Sequence, residues 1–472
     1  MAPQVEATRN APSDEIEHSM SAKEAVKECC TKNENEVRQM TLPVDHPLTP
    51  LSPDEITLAA SIVKADVGDD NLRFESIELL EPPRELVRSF EPGSELSRAA
   101  RVVCFIAGKI GAKKYKVCLK TESVIFKEEL PTECPMIQIV EMMAAADAVK
   151  AHPEFIAACE KRGITDMSLV HVEPWPAGFH ASSAEHGRFI LHAFAWIRNF
   201  PRDNNYAHPI EGINAVIDLK TLEVLEVTDK GVYEVPKEDA NYLLEFNEKP
   251  RDHLKPINVT QPEGVSFTFE NGHINWHDWS LVIGFNNREG LTLHDISFAG
   301  RPICYRASIA EMVVPYASTD SAHARKNVFD IGEIGFGRCT NSLKLGCDCL
   351  GSIQYLDCWM ADTFGDPMKI DSGICIHEED SGILWKHHCH ILKATEVRRA
   401  RRLVISSVAT VGNYDYASYW YFYLDGKLPS LFVTAHSIPT YALHYLLRNK
   451  HFLTMLRKYS RNGILSLHMT YR

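Results

Sequence analysis

Three stretches of this 472-residue chain place side chains where they could do chemistry. The first is TVGNYDY, Thr410 to Tyr416, inside the β-like run RLVISSVATVGNYDYASYWYFYLDG. Gly and Asn are poor strand residues. Gly412-Asn413 directly before a tyrosine therefore marks a bulge, a short turn between two strands, or a close approach to the backbone. On the sharper reading the strand is deformed so that Tyr414 can be used chemically. The second stretch, NVFDIGEIGFG, sets Asp330 between Phe329 and Ile331 and just before glycines. Either this carboxyl faces solvent in a loop, or it is partly desolvated, which raises its pKa toward the range of a general base. The third runs from CDCLGSIQYLDC to GICIHEEDSGILWKHH and is rich in Cys, His and acids. Metal binding and plain polar surface both account for it. The His-x-His here is His388-Cys389-His390, ahead of Tyr414.

The elements that must position these residues fall into units. Residues 1–43 are polar with few aromatics and read as a disordered arm. SPDEITLAASIVKAD then starts a helix, with Ser52 as cap, Pro53 in the first turn and acids near the positive end of the dipole. Strand-like runs RFESIEL, RVVCFIAG, KYKVCLKT and SVIFKEEL follow, giving a small α+β domain over 44–132. The order repeats over 133–245. IQIVEMMAAADAVKAHPEFIAACEKRG is helical, with Val140, Met143, Ala144 and Ala148 on one stripe, and the strands MSLVHVEPW, RFILHAFAWIR and GINAVIDLKTLEVLEVTD follow. Beyond 262 nearly everything is strand signal punctuated by hairpin turns. The expected fold is α+β: two small α+β domains, then a large antiparallel β-sandwich over 262–426, incomplete here, then a divergent tail over 427–472.

A net charge of −13 argues against nucleic acid as a partner. No apolar run reaches the length of a membrane span, and MAPQVEATRNAPSDEIEHSM lacks the basic start and apolar stretch of a secretory signal. The expectation is an intracellular protein, cytoplasmic or peroxisomal. Thirteen cysteines cannot all pair with one another, and without secretion most should be free thiols.

Five segments, YRASIAEMVVPY, FDIGEIG, NSLKLGCDCLG, GICIHEEDSGILWKH and TVGNYDY, follow one another as they do in the copper-containing amine oxidases, which this chain resembles from about residue 44 onward. The resemblance implies oxidative deamination of a primary amine by O2, giving aldehyde, ammonia and hydrogen peroxide. The cofactors implied are copper and topaquinone. Tyr414 matches the tyrosine that becomes the quinone, Asp330 the catalytic base and Tyr316 the tyrosine that hydrogen-bonds the quinone. Val328 falls at the gate of the amine channel, next to Phe329. Gly412 and Asn413 match the residues that shape the backbone before the quinone, and Cys349 and Cys375 the family's disulfide. A homodimer is expected from the same source.

One part of the pattern departs. The family's copper ligands are a His-x-His pair beyond the quinone strand and a later histidine, and no such set is found here. After YLDG the chain continues KLPSLFVTAHSIPTYALHYLLRNKHFLTMLRKYSRNGILSLHMTYR, without a single acid, and His436, His444, His451 and His468 lack the family's spacing. The expectation is a truncated or mis-ended chain in which no residue is assigned to metal and Tyr414 stays a tyrosine. The alternative function is thus a non-catalytic amine-oxidase remnant. YALHYLLRNKHFLTMLRKYS reads either as a basic amphipathic helix or as unselected sequence.

Overall fold

The computed structural model describes residues 37–176, 187–237, 240–243, 245–246, 254–270, 272–315 and 327–436. Strand β1 (Val37–Thr41) comes first. The arm expected to be disordered through 43 is therefore ordered in its last part. Helix α1 (Pro53–Val67) follows the predicted start. The Ser52 hydroxyl accepts the Glu55 amide while the Glu55 carboxylate accepts the Ser52 amide, and left-handed Gly68 ends the helix. Four antiparallel strands, β2 (Leu72–Leu79), β3 (Ala99–Ile106), β4 (Ala112–Cys118) and β5 (Ser123–Leu130), form a sheet in that order. Alternate residues such as Phe74, Val102 and Tyr115 pack on Ile56, Ala59, Ala60 and Val63 of α1.

The second unit holds two helices rather than one. Pro153 ends the first, since it cannot donate to the preceding turn, and starts the next. The result is α2 (Ile139–Lys150) and α3 (Pro153–Glu160). The stripe is also displaced from the one expected. Ala145 and Val149 are buried, whereas Val140 and Met143 are 56% and 63% exposed. Small residues face the sheet because the helix lies close upon it. That sheet is β6 (Val170–Pro176), β7 (Ile190–Ile197), β8 (Ile213–Asp218) and β9 (Glu223–Asp229), antiparallel in sequence order.

The remainder is a sandwich. One sheet is the antiparallel series β10 (Thr268–Glu270), β11 (His273–Trp276), β12 (Trp279–Asn286), β13 (Gly290–Phe298) and β14 (Arg301–Ala307). A two-strand ladder, β15 (Val314–Pro315) with β16 (Asn327–Val328), leads to the second sheet. That sheet runs β1, β17 (Ile353–Ala361), β18 (Pro367–Cys389), β19 (Ala394–Val411), β20 (Tyr414–Tyr423) and β21 (Ser430–His436). Trp279, Leu281, Leu293, Leu356, Ile376, Leu403, Ile405 and Phe422 from the two sheets form one core. Two expectations are corrected. The sheet is not wholly antiparallel, because β1 lies parallel to β17. The segment after 427 is not all divergent tail, because Ser430–His436 extends the sheet beside β20. The later tail, with its amphipathic stretch, lies outside the described residues. Strands outweigh helices throughout, and among the described residues no helix is long and apolar enough to cross a membrane.

Candidate active site

Gly412 and Asn413 form a two-residue hairpin turn closed by the pair Val411 and Tyr414. Gly412 is left-handed at φ 58° and Asn413 is not, the pattern of a II′ turn, which needs glycine first. So the short-turn reading of this stretch holds, and the close-approach reading holds with it. A Cβ on Gly412 would meet Oε1 of Glu173, from the second small domain, at 3.3 Å. The motif's flanks lock the turn: Asn341 donates to the Thr410 hydroxyl at 2.9 Å, and that hydroxyl donates to Asp415 at 2.7 Å.

Tyr414 and Tyr416 share a face of β20, as alternate strand residues must, with rings 6.0 Å apart and nearly parallel. Tyr416 is stacked on Phe336 and Phe432 as well. Its hydroxyl donates to Oδ2 of Asp330 at 2.5 Å. Burial, and next the Asp330 charge, push the Tyr416 phenol well above its ordinary range, so it stays a donor. Asp330 is 6% exposed, which decides for the desolvated alternative. It opens a widened, π-type helical turn over Asp330–Ile334. Gly332 in that turn donates its amide to Glu311 at 3.1 Å, and a Cβ there would sit 2.4 Å from the other Glu311 oxygen. Arg288 holds the same carboxylate at 3.1 Å.

A cavity of about 440 Å³ lies between this turn, the hairpin and the second small domain. Val328, Asp330, Gly412 and Tyr414 line it; Phe329 and Asn413 do not. Phe329 faces outward at the head of the turn and Asn413 is half-buried in the hairpin. Tyr316 lies outside the described residues. Across the cavity stand Ile139, Met142 and Met143 of α2 and His171, Glu173 and Trp175 of β6. The two walls are tied together, since the Ile137 amide donates to the Glu333 carbonyl at 2.9 Å and Arg338 donates to the Ile137 and Glu75 carbonyls. Glu173 is fixed by the Tyr206 hydroxyl and the Trp175 indole, each at 2.9 Å.

The sequence reading missed Glu333, Tyr416 and the α2–β6 wall. For the first two a signal existed: an acid three residues past Asp330 in the same glycine-rich segment, and a tyrosine two past Tyr414 on the same strand face. Nothing local marks the wall. Glu333 lines the cavity and accepts the Phe329 amide at 3.0 Å. Burial pushes its carboxyl up from 4.5 to about 7, aided by the Asp330 and Glu311 charges. The folded chain thus retains a proton that the unfolded chain releases between those values, and this group lowers stability as pH rises through that window. Glu333→Gln is expected to gain about 1–3 kcal/mol on the parent between pH 4.5 and pH 8. Parallel denaturation curves at the two pH values check this, and a constant difference rules it out.

Three family models match the chain: the N2 domain of copper amine oxidase over 46–125, the N3 domain over 140–245 and the enzyme domain over 268–450. The chain belongs to the copper amine oxidase family. The enzyme-domain match runs past the limit at 426 read from sequence. Among relatives of this copper amine oxidase chain, the primary amine oxidase of Arthrobacter sp. (strain P1) is 41% identical over 396 residues, 82% of this chain and 60% of that protein. A copper-containing peroxisomal diamine oxidase of Nicotiana tabacum is 35% identical over 432 residues, 81% of this chain and 55% of that one. The chain therefore spans less than two thirds of either. The crystal structure of a copper-containing benzylamine oxidase from Hansenula polymorpha superposes with a TM-score of 0.74 at 29% identity, over 83% of this chain and 64% of that one.

The family's two cofactors fit this amine oxidase chain differently. Tyr414 suits a quinone precursor, since it is half-buried in the cavity wall with Asp330. Copper is another matter: among the described residues no three His, Cys, Asp or Glu side chains are grouped to hold a metal. His388, near the end of β18, and His390, just past it, are exposed at the end of the β18–β19 hairpin remote from Tyr414, with rings 4.9 Å apart. His436 is opposite Tyr414 in the β20–β21 register, and His444, His451 and His468 lie outside the described residues. Cys349 and Cys375 stand in one buried cluster as free thiols, not as the disulfide the resemblance implies.

Proposed function

We propose that this chain acts in the oxidative deamination of a primary amine to aldehyde, ammonia and hydrogen peroxide. The observation that carries the reading is that Asp330 and Tyr414 line one cavity. Asp147, Glu173 and Asp330 line it, joined by Glu333 when it is ionised, against one lysine among the described residues, Lys150. A primary amine arrives as an ammonium, and such a lining attracts it. Ile139, Met142 and Trp175 offer the organic body an apolar wall, with Val328 as the gate beside the base. Asp330 takes the α-proton of the amine, and Tyr416 holds the carboxylate in place for that transfer. A quinone made from Tyr414 supplies the electron sink that ordinary side chains lack. No step is routed through copper, because the described residues do not gather its ligands. Tyr316 and Asn413 are assigned as partners of the quinone by family position alone, and Phe329 as a neighbour of the gate.

The exposed arm formed by the β18–β19 hairpin supports a homodimer: Ile391 and Leu392 at its tip are 91% and 76% exposed. The peroxisomal diamine oxidase among the relatives supports a cytoplasmic or peroxisomal setting. The adjacent Cys349 and Cys375 thiols support a disulfide on oxidation. Copper analysis, redox-cycling stain for quinone and mass analysis of the Tyr414 peptide test the central claim. A stained band and a modified Tyr414 are expected. An unmodified phenol without copper would establish the non-catalytic alternative.

A further inference from the structure

A second cavity, of about 580 Å³, opens between the first small domain and the five-stranded sheet. Its wall includes Glu78 and Arg101 from the domain, and Arg288, Thr292, His294 and Arg306 from the sheet. His294 is 2% exposed, and its Nδ1 has no hydrogen-bond partner among the described residues. Its Nε2 meets the Thr292 hydroxyl at 2.9 Å. This pair requires a glycine across the ladder, since a Cβ on Gly284 would lie 2.4 Å from the Thr292 hydroxyl and 2.6 Å from His294 Nε2. A buried polar nitrogen with no partner costs stability, so a ligand that completes it is favoured.

The wall sets three carboxylates, Glu78, Glu81 and Glu289, against three guanidiniums, Arg101, Arg288 and Arg306, so unspent donors rather than net charge select the ligand. Glu81 lies 3.9 Å from Nδ1, too far to bond but near enough to favour the tautomer with its proton there. The carboxylates in the wall are already served. Glu289 accepts both Arg306 amino groups and the Ser308 hydroxyl, Glu81 accepts Arg306 Nε and Glu78 accepts Arg101. Donors remain in excess. Among the described residues, Arg101 spends only Nη2, on Glu78, and Arg288 only Nη2, on Glu311, out of the five N–H groups each guanidinium carries. Burial holds His294 down to about 4, so it is neutral near pH 7.

We propose that this cavity binds a small oxyanion of the carboxylate or phosphate class, held by His294 Nδ1 with Arg101 and Arg288, apart from the amine cavity. The test is calorimetry and thermal melting of the purified full chain with inorganic phosphate and with citrate, against potassium chloride at matched ionic strength. Saturable binding with a rise in melting temperature is expected from at least one of them, and the stronger arm names the class. Arg288→Gln and His294→Leu should each weaken it about tenfold or more, the worth of one charge-assisted or buried hydrogen bond. Arg288 is partly exposed, so that variant keeps the test open if the buried substitution does not fold. Tyr414→Phe should leave binding intact. No heat beyond the chloride control overturns the proposal. Affinity unchanged in both cavity variants overturns it too, as does binding lost in Tyr414→Phe.

Discussion

Asp330→Asn is expected to slow amine turnover by about 10²–10⁴-fold, the usual worth of a general base, while melting close to the parent. The substitution is nearly isosteric, and the amide oxygen can still accept the Tyr416 hydroxyl that reaches Oδ2 at 2.5 Å. What disappears is a buried anion able to accept a proton beside Tyr414. An interaction made mainly in the transition state shows in kcat, so KM should move far less. Peroxide release measured over a range of amine concentrations separates the two constants. Parent-like kcat in a folded variant would remove Asp330 from the chemistry and, with it, the main support for the proposed reaction.

Gly337→Ala should be the most damaging single change of a small residue near the site. A Cβ there would stand 2.0 Å from the Asn286 carbonyl oxygen and 2.8 Å from the Asn287 carbonyl carbon and oxygen. All three are backbone atoms, so no side chain can swing away. The segment cannot retreat either, because the Phe336 amide donates to Arg288 O at 2.8 Å and the Arg338 amide to Asn287 O at 3.2 Å. Relief means parting the Asp330 turn's exit from the β12–β13 turn, at a cost of about 3 kcal/mol or more. Gly346→Ala is the comparator: left-handed at φ 86° but open to space, it should cost only about 1 kcal/mol. Thermal midpoints of the two variants decide, and equal losses would mean that the close approach carries no weight.

Legibility in the sequence followed the range of the forces involved. Helix α1 was readable because Ser52, Pro53 and Glu55 cap it from within four residues. The strands of the small domains were readable because their alternation is a local pattern. Asp330 and Tyr414 could be linked only through the family resemblance, for nothing in either segment says that they meet. Phase in α2 was misjudged, since which face is buried depends on the sheet it lies on, and Met143 turns toward the cavity instead. Pro153 is a local break signal, since it lacks the amide that would continue the preceding helix. Glu173 and Trp175 reach the cavity from another domain, and no spacing rule spans that gap. Tyr416 was within reach of a period-two argument, because a strand that presents Tyr414 to a cavity presents its second neighbour to the same side.

The parallel pairing of β1 with β17 has a temporal consequence. Gln39 bonds to Asp357 at 2.7 Å across 318 positions of chain, and Met40 packs on the sandwich core. On the ribosome, these early residues emerge long before the strand they need. Both small domains are synthesised in the interval, and closing so long a loop is entropically costly and slow. This strand, translated ahead of both small domains, is therefore among the last elements to find its seat, and until then one border of the large sheet stays open to a chaperone or to a neighbouring nascent chain.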